Sequence, residues 1–146
     1  MARSRCLKVA MLPKRKPAMP LNKALMITPE MKRAKALADL VAYAANKRWL
    51  KETGGIEING LTVATDDRSK TMISGARVAA QNDPNFTTQW KGADGSFVTI
   101  DAAAVIGISD AMLAHVSNCF ATEAQVLADI EAGTISTTEQ IDAAFA

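Results

Sequence analysis

The stretch GGIEINGLTVATDDRS, residues 54–69, decides the centre of the fold. Two short apolar runs in it are separated by Asn59 and Gly60, the pair that best tolerates the positive φ angles of a two-residue hairpin turn. This turn places the apolar side chains of both runs on one face, which must pack on the rest of the chain because an isolated hairpin is marginal in water. The predicted apolar pairs are Ile56 with Val63 and Ile58 with Leu61.

The acidic residues that follow the hairpin predict the start of a helix. Thr65, Asp66 and Asp67 precede a segment with apolar residues at helical spacing, and an acidic cap suits a helix N-terminus. We therefore expect a helix over residues 66–82, ended by Asn82-Asp83-Pro84. The alternative, that the two aspartates form half of an acid/base or metal site, is less favoured by this pattern.

On either side of this centre, the same signals predict a helix and a second hairpin. Thr28-Pro29-Glu30 begins a helix that runs to about Lys51, because Pro prefers the first helical position. The sequence TTQWKGADGSFVTI, residues 87–100, predicts a hairpin with a three-residue loop at Ala93-Asp94-Gly95. This loop pairs Trp90 with Val98 and Thr88 with Ile100, whereas a four-residue loop would pair Trp90 with Phe97. The expected inner side of the first helix is Leu37, Leu40, Val41, Ala44 and Ala45.

A long helix capped by Asp101 should run to about Ala132. It would be roughly 45–50 Å long, longer than a domain of this size. We therefore expect it either to bend near Gly107 or to have its far end, with Val126 and Ile130, buried by another subunit. Ser136-Thr137-Thr138-Glu139 predicts a capping box for a short last helix that ends near Phe145.

The predicted fold class is α+β, with three main helices, a short C-terminal helix and two β-hairpins packed on the helices. We expect one core to hold the inner residues of both hairpins and of two helices. Its predicted members are Ile56, Ile58, Leu61, Val63, Met72, Ile73, Trp90, Val98, Ile100, Met112 and Val116.

Charge divides the 146-residue chain into a basic arm, residues 1–27, and a single domain, residues 28–146. Residues 1–35 have a net charge of +9, whereas residues 36–146 have −7, although the whole chain has only +2. Prolines and like charges prevent the arm from forming its own core. We expect it to be ordered only by contact with another chain, with apolar side chains in a groove and bases on an acidic rim. The partner-binding residues predicted in the arm are Lys14, Arg15, Lys16, Leu21 and Leu25.

The arm has three other possible meanings, one of which is a start-site artefact, since Met11 and Met19 are plausible alternative starts. Nucleic acid is an alternative partner, and its binding would be blind to sequence because residues 1–42 contain no Phe, Trp or Tyr for base stacking. An organellar transit peptide is a second alternative, although the prolines interrupt an amphipathic helix. We expect no secretory signal, because the arm lacks an apolar central region.

The residues needed for common catalytic and metal sites are scarce. The chain has one His and two Cys, too few for a closed zinc site without carboxylates. His115 and Cys119 have the i, i+4 spacing of a ligand pair, but a third partner is lacking. We therefore expect no catalytic residue, metal or cofactor. We also expect no membrane partner, because no apolar run approaches the roughly 18 residues of a membrane span.

From Arg48 to about residue 145, the chain resembles an uncharacterised domain family of tailed bacteriophages and prophages. The family is usually met near tail-fibre and tail-fibre-assembly genes. The motifs RWLKETGGI, VATDDRS, TTQWKGADGSFVT and HVSNCF carry the resemblance and stand in order.

The resemblance implies a non-enzymatic structural or interaction protein of the phage tail or neck, for example in tail-fibre attachment. Such a protein would form homo-oligomers and dock to other tail or neck proteins. It would be made in the bacterial host cytoplasm and located in the virion. The alternatives are a tail-fibre assembly chaperone that is not retained in the virion and a nucleic-acid-binding protein that acts through the arm.

Overall fold

The computed structural model of the chain describes residues 26–92 and 95–146. It confirms the predicted α+β class, with three main helices, a short C-terminal helix and two separate antiparallel hairpins. The elements in chain order are α1 (Pro29–Thr53), β1 (Ile56–Ile58), β2 (Leu61–Val63), α2 (Asp67–Asn82), β3 (Thr87–Lys91), β4 (Phe97–Asp101), α3 (Ala102–Ala132) and α4 (Thr138–Ala144).

The first hairpin has the predicted turn and register. Asn59 and Gly60 have φ angles of 50° and 80°, as a hairpin turn that follows the twist of the strands requires. Ile58 pairs with Leu61 and Ile56 with Val63. The local turn chemistry therefore sets which face of this hairpin is apolar.

The second hairpin also has the predicted register, with Trp90 opposite Val98 and Thr88 opposite Ile100. Gly95 has the expected positive φ angle, 84°, whereas the predicted loop residues Ala93 and Asp94 lie outside the described part. Ile100 is buried and Trp90 packs beside it, but Val98 is 43% exposed. The prediction that Val98 belongs to the core is wrong, because it lies nearer the tip of the hairpin than Ile100 does.

Capping residues begin the helices at or near the predicted positions. Asp66 accepts hydrogen bonds from the backbone N–H groups of Arg68 and Ser69 at the start of α2, which supports the cap interpretation of the acidic pair. The capping box of α4 is present but begins one residue later than predicted, with Thr137 as the cap and Gln140 as its partner.

The helices pack along α3 in two sections. α1 and α3 contact each other in opposite chain directions. Arg48 pairs with Glu123, whereas Lys51, later in α1, contacts His115, earlier in α3, through its backbone oxygen. α1 is therefore antiparallel to the C-terminal half of α3. α2 packs against the N-terminal half, where Arg77 pairs with Asp110.

Two clusters of buried residues replace the single predicted core, because α3, with 31 residues, is about 46 Å long and spans both. Met72, which is 60% exposed, was wrongly assigned to the core. Val116 is only partly buried and belongs to neither cluster. The first cluster is Val63, Ile73, Ala80, Ile100, Ala102, Val105, Ile108 and Met112; the second is Ala44, Val126, Ile130, Ile141 and Phe145.

The far end of α3 is covered by residues of the same chain. Val126 and Ile130 are 1% and 4% exposed and pack with residues of α1 and α4. α4 is held against α1 by Asp142, which accepts a hydrogen bond from the Tyr43 hydroxyl at 2.9 Å and pairs with Lys47 at 2.7 Å. The reason for expecting another subunit at Val126 and Ile130, an uncovered helix end, therefore does not hold.

The alternative explanation for the length of α3, a bend near Gly107, stays a prediction; α3 continues as one helix through that position. Its length and mean hydropathy would also suffice for a membrane span. The expectation that no membrane is involved therefore stays a prediction.

Candidate interaction surface

A buried ionic cluster joins the end of α1 to α2 and α3. Glu52, in the last turn of α1, is 5% exposed and forms ion pairs with Arg48 and with Lys70 of α2. Arg48 also lies 2.8 Å from a carboxylate oxygen of Glu123, although its Nε–H does not point along a hydrogen bond to that oxygen. Four charged side chains from three helices therefore compensate one another.

The cluster keeps its members charged. Burial raises the pKa of Glu52, but the hydrogen bond from Lys70 and the charges of Lys70 and Arg48 outweigh burial, so the pKa lies below its ordinary value. Burial lowers the pKa of Lys70, and the hydrogen bond and charge of Glu52 reverse this, so the pKa lies above its ordinary value. Neither group is poised to exchange a proton near neutral pH, which makes the cluster a structural joint.

Thr65 ties the first hairpin to this joint. It is fully buried, its hydroxyl donates to the backbone oxygen of Glu52 at 2.5 Å, and the same hydroxyl accepts from the backbone N–H of Gly55 at 2.9 Å. Both ends of the hairpin are thus fixed to the end of α1. The sequence had indicated Thr65 only as part of a helix cap.

His115 and Cys119 lie together, but their surroundings do not favour catalysis. The Nε2 atom of His115 is 3.0 Å from the backbone oxygen of Lys51 and 3.9 Å from the Cys119 sulfur. Burial raises the pKa of the Cys119 thiol, which disfavours the reactive thiolate. Within residues 26–92 and 95–146, no group of three His, Cys, Asp or Glu side chains could hold a metal ion.

Four large apolar side chains remain exposed on one side of α1 and α3. Leu37 and Val41 are one helical turn apart, and Arg48 lies two turns further along the same face. The Arg48 guanidinium is 4.4 Å from the centre of the Phe120 ring, and Leu113 lies two turns from Phe120 on α3. We call Leu37, Val41, Leu113 and Phe120 the apolar strip; their exposed fractions are 42%, 42%, 63% and 51%.

The first turns of α1 extend this exposed surface. All residues from Pro29 to Asp39 are exposed, because α1 begins to pack against the second cluster only at Leu40. Lys35 pairs with Asp39 within this segment, and Thr28 caps it. An exposed helical segment therefore joins the arm to the packed part of the chain.

The comparisons with known proteins identify the family. A family model described as Domain of unknown function (DUF4376) matches residues 34–145. The chain belongs to this family. No curated protein and no solved structure matches it. The DUF4376 match begins inside α1, earlier than the resemblance that starts at Arg48, and the family carries no assigned function, so the link to phage tails stays a prediction.

The DUF4376 segment contains the ionic cluster and the apolar strip, whereas most of the predicted partner-binding residues precede it. Lys14, Arg15, Lys16, Leu21 and Leu25 lie outside the described residues. Val126 and Ile130 are buried within the chain, as described above. Of the seven predicted partner-binding residues, the structure describes only Val126 and Ile130, and neither is exposed to a partner.

Sequence reasoning missed the apolar strip, although a signal for part of it was present. Leu37 and Val41 were assigned to the inner side of α1. Leu37, Leu40, Val41 and Ala44 have the i, i+3, i+4, i+7 spacing of one helix face. Only Leu40 and Ala44 pack against α3 and α4, so the other edge of this face lacks a partner within the described chain.

Proposed function

We propose that the protein is a non-enzymatic interaction protein of the bacteriophage tail or neck, which associates with itself and docks to other virion proteins. The phage context comes from the resemblance of residues 48–145. The apolar strip is the observation that supports an interaction role.

The strip supports association because its members form two exposed apolar pairs, Leu37 with Val41 and Leu113 with Phe120, along packed helices. Single exposed apolar residues are normal on a protein surface, but grouped ones mark interaction sites. Leu113 and Phe120 are each more than half exposed, and Leu37 and Val41 continue the same side along α1. A second copy of the chain that covers this side would remove all four side chains from water.

The charged groups support a role without catalysis. Glu52, Lys70 and Arg48 compensate one another in the ionic cluster, and burial makes the Cys119 thiol less reactive. The charged groups of the ionic cluster therefore hold helices together.

Sedimentation velocity of the full chain over a range of concentrations tests self-association. We expect oligomers that dissociate on dilution, and we expect Val41→Glu and Leu113→Glu to raise the dissociation constant. Burying one such side chain contributes about 1.5–3 kcal/mol, so each change should weaken association about tenfold or more. Val78→Glu is the matched control, because Val78 is 57% exposed on α2, outside the strip.

Two results would contradict the role of the strip. One is a wild-type chain that stays monomeric at the highest concentration. The other is a Val78→Glu variant that weakens association as much as Val41→Glu does.

Denaturing mass spectrometry of purified phage particles tests the location. We expect the chain among the virion proteins. Its presence in infected cells but absence from the particle would instead indicate a tail-fibre assembly chaperone.

A further inference from the structure

A cleft of about 510 Å³ lies between the two hairpins, beside the first turns of α2. Its volume is within the range of ligand-binding clefts, about 300–1,000 Å³. We call it the hairpin cleft. Its lining comes from β2 and the residue that follows, the start of α2, and β3 with the residue after it: Thr62, Ala64, Asp66, Arg68, Ser69, Met72, Gln89, Trp90, Lys91 and Gly92.

β2 and β3, which contribute to the lining of the cleft, each have one edge without a strand partner in the described chain. β2 pairs with β1 and β3 with β4, each in a two-stranded sheet of the described chain. The cross-strand neighbours of Thr62 and Gln89, which are Glu57 and Thr99, do not line the cleft. Two strands that line one cavity therefore each have an unpaired edge, and such edges offer backbone N–H and C=O groups to an added strand.

The side chains at the cleft offer apolar contacts. Met72 is 60% exposed in the second turn of α2, and Met side chains adapt to differently shaped partners. Trp90 is partly buried, and its indole Nε1 is buried with no hydrogen-bond partner in the structure. A bound segment would cover Met72 and the accessible part of Trp90.

The charges of the cleft favour an acidic occupant. Within the described residues, neither Arg68 nor Lys91 has an ion pair; the Lys91 ammonium lies over the Phe97 ring, 5.7 Å from its centre. The one carboxylate in the lining, that of Asp66, accepts from the backbone N–H groups of Arg68 and Ser69 and from the Ser69 hydroxyl, so its charge faces the positive end of the α2 dipole.

The basic arm of the chain is therefore a poor occupant. Residues 1–27 contain seven Lys and Arg and no acid, so they would bring like charges to Arg68 and Lys91. The occupant that fits is an acidic segment of a different protein.

We propose that the hairpin cleft binds an extended acidic segment of a partner protein, which adds as a strand between β2 and β3. Strand addition supplies affinity through backbone hydrogen bonds, and alternate side chains supply specificity. A carboxylate of the segment pairs with Arg68 or Lys91, and an apolar side chain packs on Trp90 and Met72. This surface is separate from the apolar strip, so either can fail without the other.

Nuclear magnetic resonance of the ¹⁵N-labelled full chain tests the proposal with two synthetic peptides of the same length. The acidic probe is acetyl-TVEVEVT-amide, and the basic probe is acetyl-TVKVKVT-amide. We expect the acidic probe to shift the backbone amide signals of residues 62–64 and 89–92 in a saturable manner. The basic probe should bind about tenfold more weakly, because attractions at two exposed cations become repulsions.

Charge reversal gives the sharper test. The double variant Arg68→Glu, Lys91→Glu should prefer the basic probe, whereas Lys32→Glu, Lys35→Glu on α1 should keep the wild-type preference. Methylation of either alternate set of backbone nitrogens in the acidic probe should weaken binding, because one set of N–H groups faces β2 and the other set faces β3. A contact made by side chains alone would tolerate methylation of either set.

Selection of a random heptapeptide library on the full chain removes the dependence on one probe sequence. We expect Asp and Glu to be enriched between apolar positions among the selected peptides. The proposal is overturned if the selection shows no acidic enrichment, if neither probe shifts the two edges, or if the charge-reversed variant still prefers the acidic probe.

Discussion

Replacing Glu52 by Gln removes one charge from the ionic cluster while keeping the size of the side chain. Glu52 is 5% exposed, and the side chains of its partners Arg48 and Lys70 are 17% and 19% exposed. After the change, both cations remain in a poorly solvated place with one carboxylate fewer. The substitution should therefore destabilise the fold by more than an exposed ion pair contributes.

The size of the effect follows from what the two cations keep. Breaking a buried ion pair by removing one partner costs about 3–5 kcal/mol. Here Arg48 keeps Glu123 at 2.8 Å and Lys70 keeps Asp67 at 3.4 Å. We therefore expect a smaller loss, about 2 kcal/mol at neutral pH, which corresponds to a decrease in Tm of roughly 4–8 °C for a chain of this length.

Urea unfolding of the full chain, followed by circular dichroism, measures the loss. Asp39→Asn is the matched control, because Asp39 and Lys35 form an ion pair whose side chains are 65% and 75% exposed. Exposed pairs contribute about 0–1 kcal/mol. The reasoning fails if Glu52→Gln is no more destabilising than Asp39→Asn.

The pH dependence of the same comparison gives an independent check. Burial raises the pKa of Glu52, but Lys70 and Arg48 lower it by more, so the folded-state pKa is below the ordinary value. A lowered pKa contributes stability that is present above the unfolded-state pKa of about 4.3 and is lost as the pH falls through the folded-state value. The difference in stability between wild type and Glu52→Gln should therefore be constant at neutral pH and shrink in the acid range; a difference that grows on acidification would refute the assignment.

Three further substitutions test the turn and the second cluster by the same unfolding measurement, with hydrogen exchange added for the last. Gly60→Ala should destabilise the chain by about 1–2 kcal/mol because φ is 80° at Gly60. Gly75→Ala should instead stabilise it by about 0.5–1 kcal/mol, because Gly75 lies within α2 and has open space for the new methyl group. Changes of the same sign would contradict this explanation. Ile141→Ala should lower the free energy of unfolding by about 2–5 kcal/mol because Ile141 is fully buried. It should also speed amide hydrogen exchange at the C-terminal end of α3 more than in α2. An equal increase in both helices would show that α4 does not specifically cover that end.

Both hairpin registers were predictable because a tight turn acts over a few residues. Asn59-Gly60 specifies a two-residue turn, and each pair further along the strands then follows from the alternation of side chains. The caps at Asp66 and Asp101 were equally local, since each bonds to backbone groups within three residues. The shift of the α4 cap from Ser136 to Thr137 shows the limit of this argument, because neighbouring hydroxyl residues offer competing caps.

The candidate surfaces were harder to predict because they depend on distant residues. The Arg48–Glu52 pair has the helical i, i+4 spacing and could have been noticed, but Lys70 comes from another helix. The hairpin cleft likewise exists only because β2 and β3 come near one another beside α2. Sequence spacing within one element carries no information about such contacts.

The sequence by itself determined the order of the elements, both strand registers and the concentration of positive charge in residues 1–35. These follow from turn residues, caps, periodicity and charge, which act locally or by composition. Only the tertiary structure decided that α4 and α1 cover Val126 and Ile130, and that Leu37, Val41 and Met72 are left exposed. Helical periodicity shows that a face is apolar but not which neighbour covers it, because burial is settled by packing between elements far apart in the chain.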